Sequence, residues 1–169
     1  MDHREHHKSG WGRKPNLMTE PDYTYILNQL PYREPFLFVD RIDKLDTEIV
    51  EGRYTFQPES DFYRGHFKGS AVTPGVLLTE CCAQIGLACL GLYLLRSTGT
   101  SGGEVAGIGM SEAQMEFLHP VYPGDTVKVT AVRQYFRFNK LKVAVKLFNE
   151  QGLLACRGQL SGRFKPSSK

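Results

Sequence analysis

The sequence predicts an α+β domain in which one antiparallel sheet wraps around one long buried helix. The stretch from Pro74 to Leu95 is the most apolar part of the chain, and it is long enough for about six helical turns. Three later segments, 126–133, 141–147 and 154–161, alternate apolar and polar residues. This period of two is typical of antiparallel strands with one buried face. A sheet with one apolar face can enclose a helix that is apolar on every side.

Before the long helix, the sequence predicts a short helix and two strands. The segment from Asp22 to Leu30 places its apolar residues on one helical face, and Pro31 ends the pattern. These apolar residues are Tyr23, Ile26, Leu27 and Leu30. A first strand is expected from Phe36 to Val39, continuing toward Leu45, and a second from 49 to 57. A short helix, two strands, a long buried helix and a series of strands together make the hot-dog fold.

The long helix could be a membrane span by its length alone. Glu80 and Gln84 lie in its first half, and both side chains would be costly in lipid. We therefore expect a buried core helix and no membrane contact. The predicted domain covers 22–165, with a mobile N-terminal tail at 1–21 and a C-terminal tail at 166–169.

Composition and charge exclude several classes of protein. The net charge of the 169 residues is only +3, and much of it falls in the first fifteen residues, so nucleic-acid binding is not expected. The cysteines, Cys81, Cys82, Cys89 and Cys156, lack C-x-x-C spacing and are expected to be buried, reduced thiols. The N-terminus is polar and basic, without the apolar region of a signal peptide, which predicts a cytoplasmic protein.

Three histidines, His3, His6 and His7, lie in the predicted tail. Their short spacing in a polar segment is more typical of an incidental feature than of a metal site. No metal site is therefore predicted.

One stretch combines ionisable side chains, glycines and the start of a helix. Gly65 and Gly69 flank His66 and would allow a tight loop that holds the imidazole at a fixed angle. Histidine is the side chain whose unperturbed pKa lies nearest neutrality. Singly, such a histidine is more often a surface or hydrogen-bonding residue.

The helix that follows supplies the other parts of an elimination site. Pro74 and Gly75 open it, so unpaired N–H groups at its positive end could polarise a thioester carbonyl. Glu80 lies among apolar neighbours, where loss of solvation favours the protonated carboxyl. A base near neutral pH, a protonated acid and an oxyanion site are what loss of a β-hydroxyl from a thioester requires. A single buried glutamate can also be satisfied by backbone donors, and the sequence pattern does not bring Glu80 next to His66.

Three motifs over residues 30 to 165 resemble the FabZ-type 3-hydroxyacyl-acyl-carrier-protein dehydratases. They are LPYREPFLFVDRI, GHFKGSAVTPGVLLTECCAQ and FLHPVYPGD, in the order that the family has them. The resemblance implies that His66 abstracts the α-proton and that Glu80 assists loss of the β-hydroxyl as water. It also implies a carbonyl site at the backbone of Gly75, with Phe67 and Val76 against the substrate. Glu80, where isomerising relatives carry aspartate, suggests dehydration without double-bond isomerisation.

The resemblance also implies partners. His66 of one subunit would work with Glu80 of another, in a homodimer, an oligomer of dimers or a heterodimer with a related hot-dog subunit. No cofactor is expected, since the substrate arrives on the phosphopantetheine of an acyl carrier protein or of CoA. Basic side chains could contact that carrier, although charged residues more often form a merely solvated surface. The candidates are Arg64, Lys68, Arg133, Arg137, Lys140 and Lys142.

The segment QMEFLHPV departs from the family pattern. Glu116 and Leu118 stand where relatives are commonly basic, which weakens the expectation of the usual carrier contact there.

The leading hypothesis is therefore a 3-hydroxyacyl-[acyl-carrier-protein] dehydratase, a hydro-lyase that forms trans-2-enoyl thioesters in fatty acid or polyene/polyketide-type biosynthesis. Two alternatives stay open. In a hot-dog thioesterase, Glu80 would activate a water that attacks the carbonyl, and in a non-catalytic hot-dog subunit neither His66 nor Glu80 would be needed. The presence of both residues favours the dehydratase. A cysteine nucleophile is not expected, because neither Cys81 nor Cys82 has a cationic neighbour that would lower its pKa.

Overall fold

The computed structural model describes residues 21–99 and 105–167, and it confirms the α+β hot-dog architecture. A six-stranded sheet, antiparallel throughout, has the strand order β1-β2-β4-β5-β6-β3. The elements are α1 Thr24–Leu27, β1 Arg41–Leu45, β2 Ile49–Thr55, a 3-10 helix Asp61–Arg64, α2 Gly75–Ser97, β3 Val105–Phe117, β4 Thr126–Arg137, β5 Lys140–Phe148 and β6 Leu154–Pro166. Apart from Pro21, the expected tail and its histidines His3, His6 and His7 lie outside the described residues, and the domain limits stay a prediction.

Helix α2 is the buried core helix that the sequence predicts. It is long and apolar enough to span a membrane, yet 72% of its most apolar stretch is buried within the protein. Its middle turn, Gln84–Cys89, is π-helical and wholly buried. Glycines allow the sheet to approach the helix closely, since a Cβ on Gly91 would lie 1.9 Å from the ring of Phe164.

The alternation predicted for the later strands is confirmed. Val127, Val129 and Ala131 of β4 are fully buried against α2, and the matching positions of β5 are buried as well. Those positions are Leu141, Val143, Val145 and Leu147. The sheet therefore has an inner face on the helix and an outer face of mostly polar residues.

Two expectations from the first part of the chain are wrong in their extent. Residues Phe36–Val39 are not a strand, and β1 begins only at Arg41. The backbone of Phe38 is bonded instead to α2, because its N–H donates to Gln84 Oε1 at 2.7 Å. Helix α1 is a single turn, although the predicted face is right, with Ile26 and Leu30 buried.

Strand β3 was not predicted, because most of its residues are exposed and it shows no alternation. It has 13 residues and lies at the edge of the sheet, and within 21–99 and 105–167 it pairs only with β6. Its far edge therefore presents backbone groups that have no partner strand among the described residues.

Candidate active site

His66 lies in a short loop that is closed by its own backbone. The Val72 N–H donates to the His66 carbonyl at 3.0 Å, and the His66 Nδ1 lies 2.7 Å from the Val72 carbonyl oxygen. A carbonyl oxygen only accepts, so Nδ1 carries a proton, and in the neutral ring the lone pair is therefore on Nε2. The loop therefore fixes the tautomer that a general base needs.

Neighbouring residues hold this loop in place. The His66–Phe67 peptide is cis, and the two rings stack with centroids 4.0 Å apart. Gly69 has a φ of +73°, which a side chain would strain. Gly65 was also expected to allow a tight turn, but its φ of −115° is one that any residue adopts.

The base of the loop is fixed by two buried residues. The hydroxyls of Tyr63 and Thr73 lie 2.6 Å apart, and the Thr73 N–H donates to the Val121 carbonyl at 2.8 Å. These bonds tie the loop to the start of α2 and to the segment that follows β3.

The first turn of α2 has unpaired donors. The Pro74 carbonyl accepts the N–H groups of Leu77 and Leu78, and neither Gly75 nor Val76 can donate within the helix. A cavity of about 420 Å³ adjoins this turn, and its lining includes Thr73, Leu78 and Phe117. A Cβ on Gly75 would lie 3.1 Å from the Phe117 ring, so a side chain at this position would require the ring or the helix start to shift by a few tenths of an ångström.

Glu80 lies about one and a half turns further along the helix. Its carboxyl is half-buried, and loss of solvation raises its pKa, while a hydrogen bond from Gln84 opposes the rise. The direction expected from the sequence is therefore confirmed. Protonation makes the carboxyl a possible proton donor at higher pH than an ordinary glutamate.

Gln84, which the sequence reasoning noted only as a polar residue in the helix, holds the Glu80 carboxyl. Its Nε2 donates to Glu80 Oε1 at 2.9 Å and to the Phe36 carbonyl at 3.1 Å, and its Oε1 accepts from Phe38. Because Glu80 Oε1 accepts a bond, the proton of the neutral acid belongs on Oε2. The spacing of four residues on one helix was the signal that could have identified this contact.

The structure brings the expected site residues into two groups. His66 and Phe67 lie in the loop, whereas Gly75, Val76 and Glu80 lie on α2. In the part of the chain that is described, the side chains of His66 and Glu80 bond to Val72 and Gln84, not to each other. Phe67 is 58% exposed and Val76 is 76% exposed, so both are accessible to a substrate or to another chain.

The basic candidates fall at opposite ends of the sheet. Arg64 and Lys68 flank the His66 loop, and Arg64 pairs with Asp61 at 3.2 Å. Arg137 and Lys140 bound the turn between β4 and β5, beside the C-terminal part of α2. The structure does not bring the two groups together in one protomer, because strand β4 is about 40 Å long.

The other two basic candidates lie within the strands, between the two ends of the sheet. Arg133 pairs with Glu48, and Lys142 lies in the middle of the sheet, opposite Ser161.

The last residues of β3 and the residue that follows it show how the departure from the family pattern is accommodated. Glu116 pairs with Arg157 at 2.7 Å, and Leu118 is exposed beside the cavity at the start of α2. The position therefore offers an apolar surface at that cavity.

The cysteines agree with the expected chemistry. All four thiols are free and buried. Burial raises the pKa of Cys81, and the pKa of Cys82 is raised by a hydrogen bond that its thiol donates to Cys156 and by burial. Neither is therefore a nucleophile at neutral pH. Over 21–99 and 105–167, no cluster of three or more potential ligand side chains could hold a metal ion.

Comparisons with known proteins show the family of this chain. A family model described as a FabA-like domain matches residues 30–154. A relative from Nitratidesulfovibrio vulgaris (strain Miyazaki F), a 3-hydroxyacyl-[acyl-carrier-protein] dehydratase FabZ, is 32% identical over 85% of this chain and 90% of its own. Proteins of the same name from Fusobacterium nucleatum and Thermus thermophilus are 37% and 36% identical, over 68% and 76% of this chain and 80% and 87% of their own.

Solved structures share the fold. A chain of the dehydratase heterocomplex ApeI:P from Xenorhabdus doucetiae matches with a TM-score of 0.68 at 11% identity, over 85% of this chain and 91% of its own. A hypothetical thioesterase with coenzyme A from Streptococcus pneumoniae TIGR4 matches at 0.53 and 12% identity, over 76% and 88%.

Proposed function

The chain belongs to the FabA-like family and is of the FabZ type, and on that premise we propose that it is a 3-hydroxyacyl-[acyl-carrier-protein] dehydratase. One observation carries the proposal. The loop keeps the proton of His66 on Nδ1, and α2 holds Glu80 in surroundings that raise its pKa. A fixed base and a protonated acid are the pair that an elimination of water requires.

The reaction follows from these atoms. The Nε2 of His66 takes the α-proton of the thioester, and the N–H groups at the start of α2, at Gly75, stabilise the charge that develops on the carbonyl oxygen. The bond from the β-carbon to its hydroxyl then breaks as Glu80 Oε2 gives its proton, so water leaves and a trans-2-enoyl thioester forms. Proton exchange with solvent restores both side chains, and no cofactor takes part.

The pair acts across two subunits in this proposal. Strand β3 supports it, because it is long, exposed and open along its outer edge. Antiparallel pairing of β3 with a second β3 gives a two-fold dimer. Such a dimer would set the hairpin end of one protomer beside the loop end of the other.

The same dimer suggests a single surface for an acidic carrier. Arg64 and Lys68 of one protomer would lie on the same side as Arg137 and Lys140 of its partner, which unites the two basic groups that one protomer separates. The turn between Arg137 and Lys140 carries Phe138, which is 95% exposed and has a φ of +48°. We propose that this surface receives the acyl carrier protein, and that the enzyme acts in the cytoplasm in fatty acid or polyene/polyketide-type synthesis.

A direct assay tests the proposal. The protein is incubated with 3-hydroxyacyl and with plain acyl thioesters of a carrier protein, and enoyl product and free thiol are measured separately. Enoyl product is expected only from the hydroxyacyl substrate, and both His66→Ala and Glu80→Gln should lower its rate by at least about a hundredfold. Thiol release from the plain acyl substrate that persists in His66→Ala would overturn the proposal in favour of a thioesterase.

A further inference from the structure

The buried hydroxyls of Tyr63 and Thr73 take no part in the reaction described above, yet they bond to each other at the base of the His66 loop. Tyr63 is 7% exposed and Thr73 is 5% exposed, and the two oxygens are 2.6 Å apart. A hydroxyl is costly to bury unless it has a hydrogen-bond partner. What this bond adds to the packing is a fixed connection between the two ends of the loop.

The Thr73 end of the connection holds the group that accepts from the His66 ring. The carbonyl 2.7 Å from His66 Nδ1 belongs to Val72, and it is part of the same planar peptide group as the Thr73 N–H. That N–H donates to the Val121 carbonyl at 2.8 Å, so the peptide is bonded on both of its sides. With the Thr73 hydroxyl bonded as well, the direction of the Val72 carbonyl is fixed.

The Tyr63 end of the connection holds the backbone of His66. Tyr63 lies in the 3-10 helix Asp61–Arg64 and directly follows Phe62. The Phe62 carbonyl accepts the N–H of His66 at 3.0 Å. The phenol of Tyr63 therefore links the turn that carries the His66 backbone to the peptide that accepts from the His66 ring.

The bonds on both sides of the peptide between Val72 and Thr73 also make its carbonyl a better acceptor. Successive hydrogen bonds polarise one another, so a peptide whose N–H is bonded carries more negative charge on its oxygen. The His66 ring becomes positive when Nε2 takes a proton, and the Val72 carbonyl at Nδ1 stabilises that charge. A carbonyl that tilts away would lose this effect and would let the neutral ring adopt the other tautomer.

We infer that Tyr63 and Thr73 are positioning residues for His66, the base of the proposed reaction. Their hydroxyl bond holds the Val72 carbonyl in place, and this carbonyl holds the His66 ring in its orientation and in the Nδ1–H tautomer. The role rests on the proposed dehydratase function, because it concerns the base of that reaction. Neither hydroxyl takes or gives a proton in the reaction, since both act through His66.

NMR of the full chain with 15N-labelled histidine tests this role without any substrate. Spectra are recorded at about pH 9, where an ordinary histidine is neutral, and the His66 signals are identified by their absence from His66→Ala. We expect the Nδ1–H tautomer in the parent, and a mixture with the Nε2–H tautomer in Tyr63→Phe and in Thr73→Val. Thr73→Ser, which keeps a hydroxyl at this position, should retain the Nδ1–H form.

Steady-state kinetics on a 3-hydroxyacyl thioester measure the consequence for the reaction. Tyr63→Phe should lower kcat by about tenfold, because the ring is no longer held in its productive orientation. Its KM should change by less than about twofold, because the lost bond does not bind the substrate.

The double variant Tyr63→Phe/Thr73→Val shows whether the two residues act through one bond. Its loss of kcat should be about that of the larger single loss rather than their product, since all three variants lack the same bond. It leaves neither hydroxyl unpaired, so it should fold at least as well as the single variants. Far-UV circular dichroism checks the folding of all three.

Tyr23→Phe is the matched control. The Tyr23 hydroxyl donates to the Leu45 carbonyl at 3.2 Å, so the same substitution removes a hydroxyl bond between the start of α1 and the end of β1. The control should keep the Nδ1–H tautomer of His66 and a kcat within about twofold of the parent.

Two results would overturn the role of the hydroxyl pair. One is folded Tyr63→Phe and Thr73→Val chains that keep the Nδ1–H tautomer of His66, and the other is a Tyr23→Phe chain that changes the tautomer equally. Failure of the proposed function has a different signature, namely a parent chain that forms no enoyl product. In that case the tautomer measurement still decides whether the pair positions His66.

Discussion

Replacing Gln84 by leucine is predicted to lower the stability of the protein and to change the pKa of the Glu80 carboxyl. The Gln84 side chain is fully buried and bonds to Glu80, Phe36 and Phe38. Leucine has a similar size but no polar atom, so the backbone N–H of Phe38 and the carbonyl of Phe36 lose their partner. The Glu80 carboxyl loses its only side-chain donor in the described structure.

The expected magnitude follows from the two backbone groups. Each buried group left unpaired costs about 1–3 kcal/mol, and the Phe36 carbonyl is partly solvated, so we expect a loss of about 3 kcal/mol in the free energy of unfolding. For a chain of this length, that loss lowers the melting temperature by roughly 6–12 °C. The Gln84 hydrogen bond lowers the pKa of Glu80, so its removal raises that pKa further.

Two measurements follow the Gln84→Leu variant. Urea unfolding, followed by circular dichroism, gives the free energy of unfolding. The pH profile of kcat/KM reports the pKa of the acid, and the alkaline limb of this profile should move to higher pH because Glu80 keeps its proton to a higher pH. Gln57→Leu is the control, since Gln57 is exposed and its amide makes only a 3.4 Å contact to the Thr55 carbonyl; it should stay within about 0.5 kcal/mol of the parent. Equal stability of the two variants, together with an unmoved alkaline limb, would refute the reasoning.

Two further substitutions test the helix start and the buried carboxyl. The raised pKa of Glu80 means that the folded state is favoured fully below the ordinary glutamate pKa and loses stability as the pH rises through the raised value. Glu80→Gln removes this loss, so the variant should resist urea better than the parent at about pH 7 but not at about pH 3.5; equal differences at both pH values would contradict it. Gly75→Ala should lower kcat/KM by about tenfold, because the new Cβ meets the Phe117 ring at 3.1 Å and displaces the N–H donors of the first turn. Gly75→Ala/Phe117→Leu should regain part of that activity, and no recovery in the double variant would count against this cause.

Much of the fold could be predicted because its pattern is local. The apolarity of α2 and the alternation in β4 and β5 depend on residues close in sequence, and both are confirmed. The strand predicted at Phe36–Val39 was wrong because the backbone of Phe38 bonds to the side chain of Gln84, which is 46 residues away in the sequence. Strand β3 escaped prediction because an exposed edge strand has no buried face to impose a pattern.

The site shows the same division. The loop and the start of α2 could be identified from Gly69, His66 and Gly75, since tight turns and helix starts have residue preferences. The tautomer of His66 depends on the position of the Val72 carbonyl. The orientation of the Glu80 carboxyl depends on its hydrogen bond from Gln84, so neither property follows from composition. The proposed pairing of His66 with Glu80 depends on the assembly of two subunits, which no pattern within one chain specifies.

A mixed-dimer experiment tests the central claim that His66 and Glu80 form one elimination site across two subunits. His66→Ala and Glu80→Gln chains, each nearly inactive alone, are unfolded together, refolded as a mixture and assayed for enoyl product. If the pair spans two subunits, each mixed dimer has one intact site, so random pairing should restore about a quarter of the parent activity. If the mixture stays as inactive as the separate variants while gel filtration shows dimers, the account of a shared site is wrong.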